Sequence, residues 1–394
     1  MGDALTKSIT HLLQSCLSAL LLLGVLTTAQ DKAAQDKAAQ TPPAQPPAPL
    51  VSPEVHANGS VTFRFRDPNA AKVEVWGDWG QTAVAPMRKD EQGVWSVTIP
   101  TLTPDYYGYG FTADGVDVPD PSNHELTPNL LFSLNVLHVP GPLSLPWEVN
   151  DVPHGVIHHH FYRSAVAQDD RDYYVYTPPN YDSAAKKSYP VLYLLHGYSF
   201  DARSWSASGR ANVILDNLIA QGKARPMIVV MPLAYGTMKI LGAFDNSELR
   251  DANFQKFSET LLTEVMPRVE REYRTIKDRN ARAIAGFSLG GSESLLTGLN
   301  HLDKFSWIGS FSGVRGMPED FQKDFPSLDA KANEQLHLLW VSCGTEDYRL
   351  AMSRNLREWL KAKGVKVTEI ETPGSHTMMV GRRNLVEFAP LLFR

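Results

Sequence analysis

Cysteine is nearly absent: the 394 residues include only Cys16 and Cys343. Cys16 falls in an apolar N-terminal leader, so removal of that leader leaves no partner for a disulfide, and stability must come from packing. An excess of one charge is also lacking. Lys and Arg number 38 against 43 Asp and Glu, a net charge of −5, and no basic run occurs. This balance gives no footprint for nucleic acid or for an anionic membrane surface. A membrane-length apolar run is missing too, because the stretch Leu17–Leu26 is too short for a comfortable span.

The N-terminus instead carries a leader pattern. Lys7 precedes the apolar stretch, which ends in the small residues Thr27–Thr28–Ala29, although Asp3 departs from the usual start. The pattern predicts a secretory signal over 1–29 and, with no disulfide, a periplasmic or secreted protein. Residues 30–53 repeat Q-D-K-A-A and then turn Pro- and Ala-rich, which predicts a flexible linker.

The remaining chain is long enough for two domains. Over 54–145 the apolar residues alternate, as in Val61–Phe63–Phe65, Val73–Val75 and Trp95–Val97–Ile99. An aromatic run, Tyr106 to Phe111, leads into an Asp114–Gly115 turn. Short, closely spaced strands of this kind predict an all-β sandwich. Over 155–394 the period changes. Strand-like runs (Tyr173–Tyr176, Val191–Leu195, Met227–Met231, Arg282–Ala285, Trp307–Phe311, Leu336–Val341, Lys366–Glu371) alternate with helical stretches, the clearest over Phe254 to Tyr273. That alternation predicts an α/β domain with a mostly parallel sheet, whose ligands gather at the carboxyl ends of the strands.

One such end carries Gly286–Phe287–Ser288–Leu289–Gly290, a G-x-S-x-G pattern between strand and helix. In that setting a tight turn exposes Ser288 as a nucleophile. A serine hydroxyl needs a base, and the base needs an orienting acid. Asp347 follows the Leu336–Val341 strand, and His376 follows the next one, giving the order Ser, Asp, His. His376 would take the proton during attack and return it to the leaving alcohol, while Asp347 would fix the imidazole tautomer. Glu346 is the neighbouring rival to Asp347. The loop after Val191–Leu195 reads His196–Gly197–Tyr198, so the backbone amides of Tyr198 and Leu289 are the candidate oxyanion hole.

Two resemblances follow from the motifs. "V-E-V-W-G-D-W", "G-V-W-S-V" and "Y-Y-G-Y-G-F-T-A-D-G" resemble early-set immunoglobulin-like modules, relatives of the family-48 carbohydrate-binding modules. "Y-V-Y-T-P-P-N-Y", "L-L-H-G-Y", "G-F-S-L-G-G", "G-L-N-H-L-D-K-F", "S-C-G-T-E-D" and "F-A-P-L-L-F" resemble carbohydrate esterase family 1. That family has the α/β-hydrolase fold and includes feruloyl and acetylxylan esterases. The resemblance implies ester hydrolysis by Ser288, His376 and Asp347, with Tyr198 and Leu289 at the oxyanion positions. Relatives often carry glycines where Ser199 and Phe200 stand, and tryptophans near Met378 and Gly381, so acyl preference does not transfer.

Among other residues, Trp205 and Met378 are candidate substrate contacts. Consecutive residues His158–His159–His160 would alternate faces on a strand, which argues against a metal site. Cys343 reads as a buried strand-end residue. Trp95 reads as sandwich core, and the sandwich itself as a wall of the substrate cleft, with glycan binding by its aromatic residues a second reading. The expected partner is an acylated polysaccharide or oligosaccharide, with no nucleic acid and no membrane after signal removal. The chemistry calls for no cofactor and no metal. A siderophore trilactone esterase and an acyltransferase on the same scaffold are the alternatives, and a catalytically silent glycan-binding protein stands against all three.

Overall fold

Eight strands form one mixed sheet, in the order Val156–Arg163, Asp170–Thr177, Ile228–Pro232, Val191–Leu195, Arg282–Phe287, Trp307–Phe311, Leu338–Gly344 and Thr368–Thr372. The first two pairings are antiparallel and the remainder parallel. This computed structural model describes residues 49–80, 83–316 and 318–394. The expected signal over 1–29 and most of the expected linker over 30–53 lie outside the described residues. Among the described residues, no helix is long and apolar enough to cross a membrane.

The central strands explain themselves. Every residue of Val191–Leu195, Ile228–Pro232 and Trp307–Phe311 is buried, because helices cover both faces of the sheet. The strand expected over Leu336–Val341 runs instead over Leu338–Gly344, so Ser342 and Cys343 belong to it rather than to the following loop. The helix expected from Phe254 begins earlier, at Ser247, where the Asn246 side chain accepts the Leu249 amide at 2.9 Å. Its first two turns are polar and largely unburied, so they carry no apolar period. The helix also widens into a π turn over Leu261–Val265, just ahead of Pro267, before ending at Glu272. Proline has no N–H to give a preceding turn and crowds the carbonyl four residues back, which the wider turn relieves.

Two antiparallel sheets make the sandwich. One is ordered Glu54–Val55, Val61–Arg66, Val94–Ile99, Arg88–Lys89. The other is ordered Val84–Pro86, Val73–Gly77, Asp105–Ala113, Val116–Val118, and Asn135–Val139 also pairs with Asp105–Ala113. Asp114 and Gly115, with φ of +48° and +85°, form the tight hairpin turn that positive φ at both central positions allows. Phe63, Val75, Tyr109 and Phe111 are wholly buried between the sheets, and Trp95 joins them. Order reaches back beyond residue 54. Ser52 is buried, its hydroxyl donating to Asp120 at 2.6 Å and accepting the Arg64 amide at 3.0 Å.

Sandwich and hydrolase sheet belong to one compact unit, Leu50–Arg394. Arg382, on the helix Met378–Phe388, is the main peg between them. Its guanidinium donates to Asp105 at 2.6 Å and Tyr106 O at 2.9 Å in the sandwich, and to Ser208 O at 2.5 Å in the hydrolase. Arg383 reaches the second oxygen of Asp105 at 3.0 Å. Both Arg382 and Asp105 are inaccessible to solvent, and burial lowers the pKa of Arg382 while the charge of Asp105 opposes the shift.

Candidate active site

Ser288 stands at the sharp turn between the strand Arg282–Phe287 and the helix Leu289–Asn300, with φ +56° and ψ −117°. Such a backbone is strained for any residue with a side chain and persists only where its surroundings enforce it. Here the enforcement is steric. A Cβ on Gly286 would lie 2.5 Å from Gly290, and one on Gly290 would lie 2.5 Å from the carbonyl oxygens of Leu195 and His196. The two glycines thus let the turn close against the neighbouring strand. The Ser288 amide donates to Phe311 O at 2.9 Å, which completes the support.

Three sequence-predicted side chains meet at this turn. Asp347 lies in the loop after Leu338–Gly344, and His376 in the loop after Thr368–Thr372. His376 Nδ1 is 2.7 Å from Asp347 Oδ2, and Nε2 is 2.8 Å from Ser288 Oγ. A carboxylate can only accept, so Nδ1 carries the proton and Nε2 is left to accept from the serine hydroxyl. Burial alone pushes the Asp347 carboxyl up. The hydrogen bond and charge of His376, with the Arg349 amide and the Ser312 hydroxyl, hold it net below its ordinary value. The imidazole sits between Phe287 and Tyr348, each with its ring centre 5.0 Å away.

The loop Gly197–Phe200 faces the serine across the cleft. Buried His196 anchors it: its Nε2 accepts the Ala234 amide at 2.9 Å, so its Nδ1 donates to Gly197 O at 2.9 Å. Burial pushes the pKa of His196 down to about 4, which keeps the ring neutral for that pair of bonds. Among the hydrogen bonds of the described residues, none uses the amide of Tyr198 or Leu289 as donor.

A family model described as "Putative esterase" matches residues 164–380, more than half of the chain and the whole of this constellation. The chain belongs to that esterase family. A second model, Carbohydrate-binding module 48 (isoamylase N-terminal domain), matches residues 51–128. The Endo-1,4-beta-xylanase/feruloyl esterase of Xylanibacter ruminicola is 31% identical over 347 residues, covering 87% of this chain and 46% of that protein. An esterase of Mycobacterium tuberculosis is 25% identical over 250 residues, covering 51% of each chain. The chain therefore spans about half the length of these curated relatives. Among solved structures, a ferulic acid esterase of Anaeromyces mucronatus in complex with ferulic acid matches with TM-score 0.56 and 24% identity, covering 64% of this chain and 96% of that one. The enterochelin esterase of Shigella flexneri matches with TM-score 0.64 and 17% identity, over 84% and 91% of the respective chains. The α/β-hydrolase fold is common to both, and the Shigella match extends over the β-rich front module as well.

The esterase cleft has a volume of about 250 Å³, and both modules wall it. Met378, a candidate substrate contact, lines it. Trp205 does not. Its ring is 1% exposed, packs edge-on against Phe311, and its indole N–H donates to Leu195 O at 2.8 Å. A large ring on a one-turn helix against the sheet gains more from burial than from facing the cleft, so Trp205 supports the strand Val191–Leu195 from beneath.

The opposite wall is the sandwich, as the sequence led one to expect, but the residues that build it were not legible there. It is made of sandwich residues, among them Asp78, Tyr106, Asn129, Phe132 and Leu134. Only Tyr106 stood in a recognisable aromatic run, and the segment 127–134 reads as plain loop. Burial raises the Asp78 carboxyl to about 6, although the Gly108 amide bonds it at 2.9 Å. Burial likewise pushes the Cys343 thiol up to about 12, so the protonated, unreactive form prevails. His158, His159 and His160 turn to Thr177, Asp172 and Tyr273 respectively. Among the described residues, no group of three His, Cys, Asp or Glu is placed to hold a metal ion.

Proposed function

We propose that this chain is a secreted serine carboxylic-ester hydrolase that removes acetyl or feruloyl groups from plant cell-wall polysaccharide such as xylan. The observation that carries the reading is the hydrogen-bonded line Ser288–His376–Asp347, beside which the amides of Tyr198 and Leu289 find no acceptor among the described residues. Ser288 Oγ attacks the ester carbonyl as His376 Nε2 removes its proton, and Asp347 steadies the imidazolium that forms. The amides of Tyr198 and Leu289 stabilise the tetrahedral oxyanion, each contributing about 3 kcal/mol by analogy with measured oxyanion donors. The proton then passes to the departing sugar alcohol. Water, activated by the same histidine, cleaves the acyl-enzyme to release the acid and restore Ser288.

The plant-wall assignment draws on the X. ruminicola relative, whose name joins xylanase and feruloyl esterase, and on the carbohydrate-binding-module match ahead of the hydrolase. The leader pattern over 1–29 supports export. Enterochelin esterases share the two-module fold at 17–18% identity, a level that speaks to architecture and not to substrate.

Ser288→Ala tests the chemistry. Hydrolysis of 4-nitrophenyl acetate should fall about a thousandfold or more while the far-UV spectrum stays unchanged. Retained activity in that variant would sink the proposal. Rates on feruloylated arabinoxylan, acetylated xylan and a catecholate trilactone then separate the substrate classes.

A further inference from the structure

The oxyanion loop is gripped from two sides, and the two grips come from different modules. Within the hydrolase, Gly197 O accepts from His196 Nδ1 at 2.9 Å and from the Phe200 amide at 3.3 Å, closing a four-residue turn. The hydroxyl of Tyr198 donates to Leu241 O at 2.9 Å. Ser199, the third residue of the turn, is held from outside. The amide of Leu130 donates to Ser199 O at 2.6 Å, and Asn129 Nδ2 donates to Ser199 Oγ at 2.8 Å. Both donors lie in the 127–134 segment that follows the sandwich's central strands.

The orientation of the Asn129 amide is internally determined. Its Oδ1 accepts the amides of Leu131 and Phe132 at 2.9 and 3.1 Å, so the NH₂ group is the part that faces Ser199. Asn129 therefore shapes its own loop with one end and holds the hydrolase with the other.

Ser199 is the residue that needs holding. Its φ is +68°, the left-handed region that glycine or asparagine favours at the third position of such a turn. Serine there is strained. Relaxing it toward the right-handed region would turn over the peptide between Tyr198 and Ser199, which carries the Tyr198 carbonyl, and so displace the turn from which the Tyr198 amide is presented. The sandwich prevents this by fixing both the carbonyl and the hydroxyl of Ser199.

We propose that Asn129, together with the Leu130 amide, is a positioning element that holds the oxyanion loop in its working shape, so that the hydrolase centre is incomplete without the sandwich. The proposal rests on the reading of the Tyr198 amide as an oxyanion donor. It assigns the front module a part in the chemistry itself, even toward small soluble esters that offer no glycan to bind.

The test uses the full chain carrying Asn129→Ala or Ser199→Ala, the second removing only the hydroxyl acceptor. kcat and KM on 4-nitrophenyl acetate are measured separately, active sites are counted by fluorophosphonate labelling, and inhibition by a trifluoromethyl ketone reports on the oxyanion hole. In Asn129→Ala, kcat per labelled site should fall about 10- to 100-fold with KM nearly unchanged, as expected when a reacting geometry is displaced by a fraction of an ångström to about 1 Å. The ketone should weaken in parallel, and Ser199→Ala should show the same pattern at smaller size. Adding Ser199→Gly to Asn129→Ala should restore part of the rate, because glycine takes the left-handed conformation without help. Unchanged kcat and unchanged ketone inhibition in both single variants would overturn the proposal. So would a rate loss explained wholly by fewer labelled sites. Activity surviving in Ser288→Ala would instead overturn the functional reading beneath it.

Discussion

Removing the charge of Arg382 while keeping its bulk, as in Arg382→Met, tests how the two modules are joined. The guanidinium makes bonds of 2.6 Å to Asp105, 2.9 Å to Tyr106 O and 2.5 Å to Ser208 O, with both partners of the ion pair out of contact with water. Taking one partner from a buried pair typically costs about 3–5 kcal/mol, because the remaining charge is left uncompensated. Two facts adjust that figure in opposite directions. Asp105 keeps Arg383 at 3.0 Å, which argues for the low end. The carbonyls of Tyr106 and Ser208 lose a donor, which adds up to about 1 kcal/mol each. The expectation is a loss of about 3–5 kcal/mol, a large share of the roughly 5–15 kcal/mol that holds a typical fold together. Urea unfolding followed by tryptophan fluorescence and far-UV circular dichroism measures it. The double variant Asp105→Asn/Arg382→Met removes both charges and should recover about 2 kcal/mol or more relative to the sum of the single losses. A loss below about 1 kcal/mol in Arg382→Met, or strict additivity in the double variant, would refute the reasoning.

Two further perturbations probe the surroundings of Ser288. Gly290→Ala drives a methyl group to 2.5 Å from the carbonyls of Leu195 and His196. It should cost at least the roughly 1–3 kcal/mol of an overpacked core, and it should lower kcat about 100-fold by shifting the oxyanion loop. Thermal melts and aryl-ester kinetics read both. Glu293, on the helix behind Ser288, is buried with Oε1 3.2 Å from Asn253 Nδ2, and burial raises its pKa well above the ordinary value against the pull of Asn253 and Arg171. A raised carboxyl pKa means the folded chain binds the proton more tightly than the unfolded one. The contribution of Glu293 to stability is then greatest below about pH 4.5 and declines as pH rises above it. Glu293→Gln should flatten this decline, so that the variant gains on the parent with increasing pH in denaturant titrations. A gap between the two that does not change with pH would contradict the sign.

Much of the centre could be read before the fold was known, for a physical reason. Ser288 and Asp347 each follow a strand whose apolar run marks its end, His376 follows the more polar edge strand Thr368–Thr372, and a parallel sheet brings such ends to one edge. The buried strands Val191–Leu195 and Trp307–Phe311 announced themselves in the same way. What escaped was set by tertiary contact. Trp205 sits on a single helical turn, where local pattern does not say which side faces the sheet. The start of the long helix at Ser247 depends on the Asn246 cap rather than on apolar spacing. Asn129 and Ser199 are 70 residues apart in the chain and lie in different modules. Nothing in either neighbourhood foretold their bond, although a serine standing where relatives often carry glycine was a sign that something must restrain it.

The tightness of the Gly286–Gly290 turn has a consequence for how this cleft can diversify. On the hydrolase side, backbone stands against backbone at distances that admit no added carbon. Substitutions there are lost before they can alter what the cleft accepts. The facing wall, with Phe132 half out in solvent and Leu134 beside it, is free to vary in size and shape. A laboratory search for altered acyl selectivity should therefore randomise Phe132 and Leu134 and leave both Asn129 and the elbow alone. The innovation in such a protein would come from the module that does not carry Ser288.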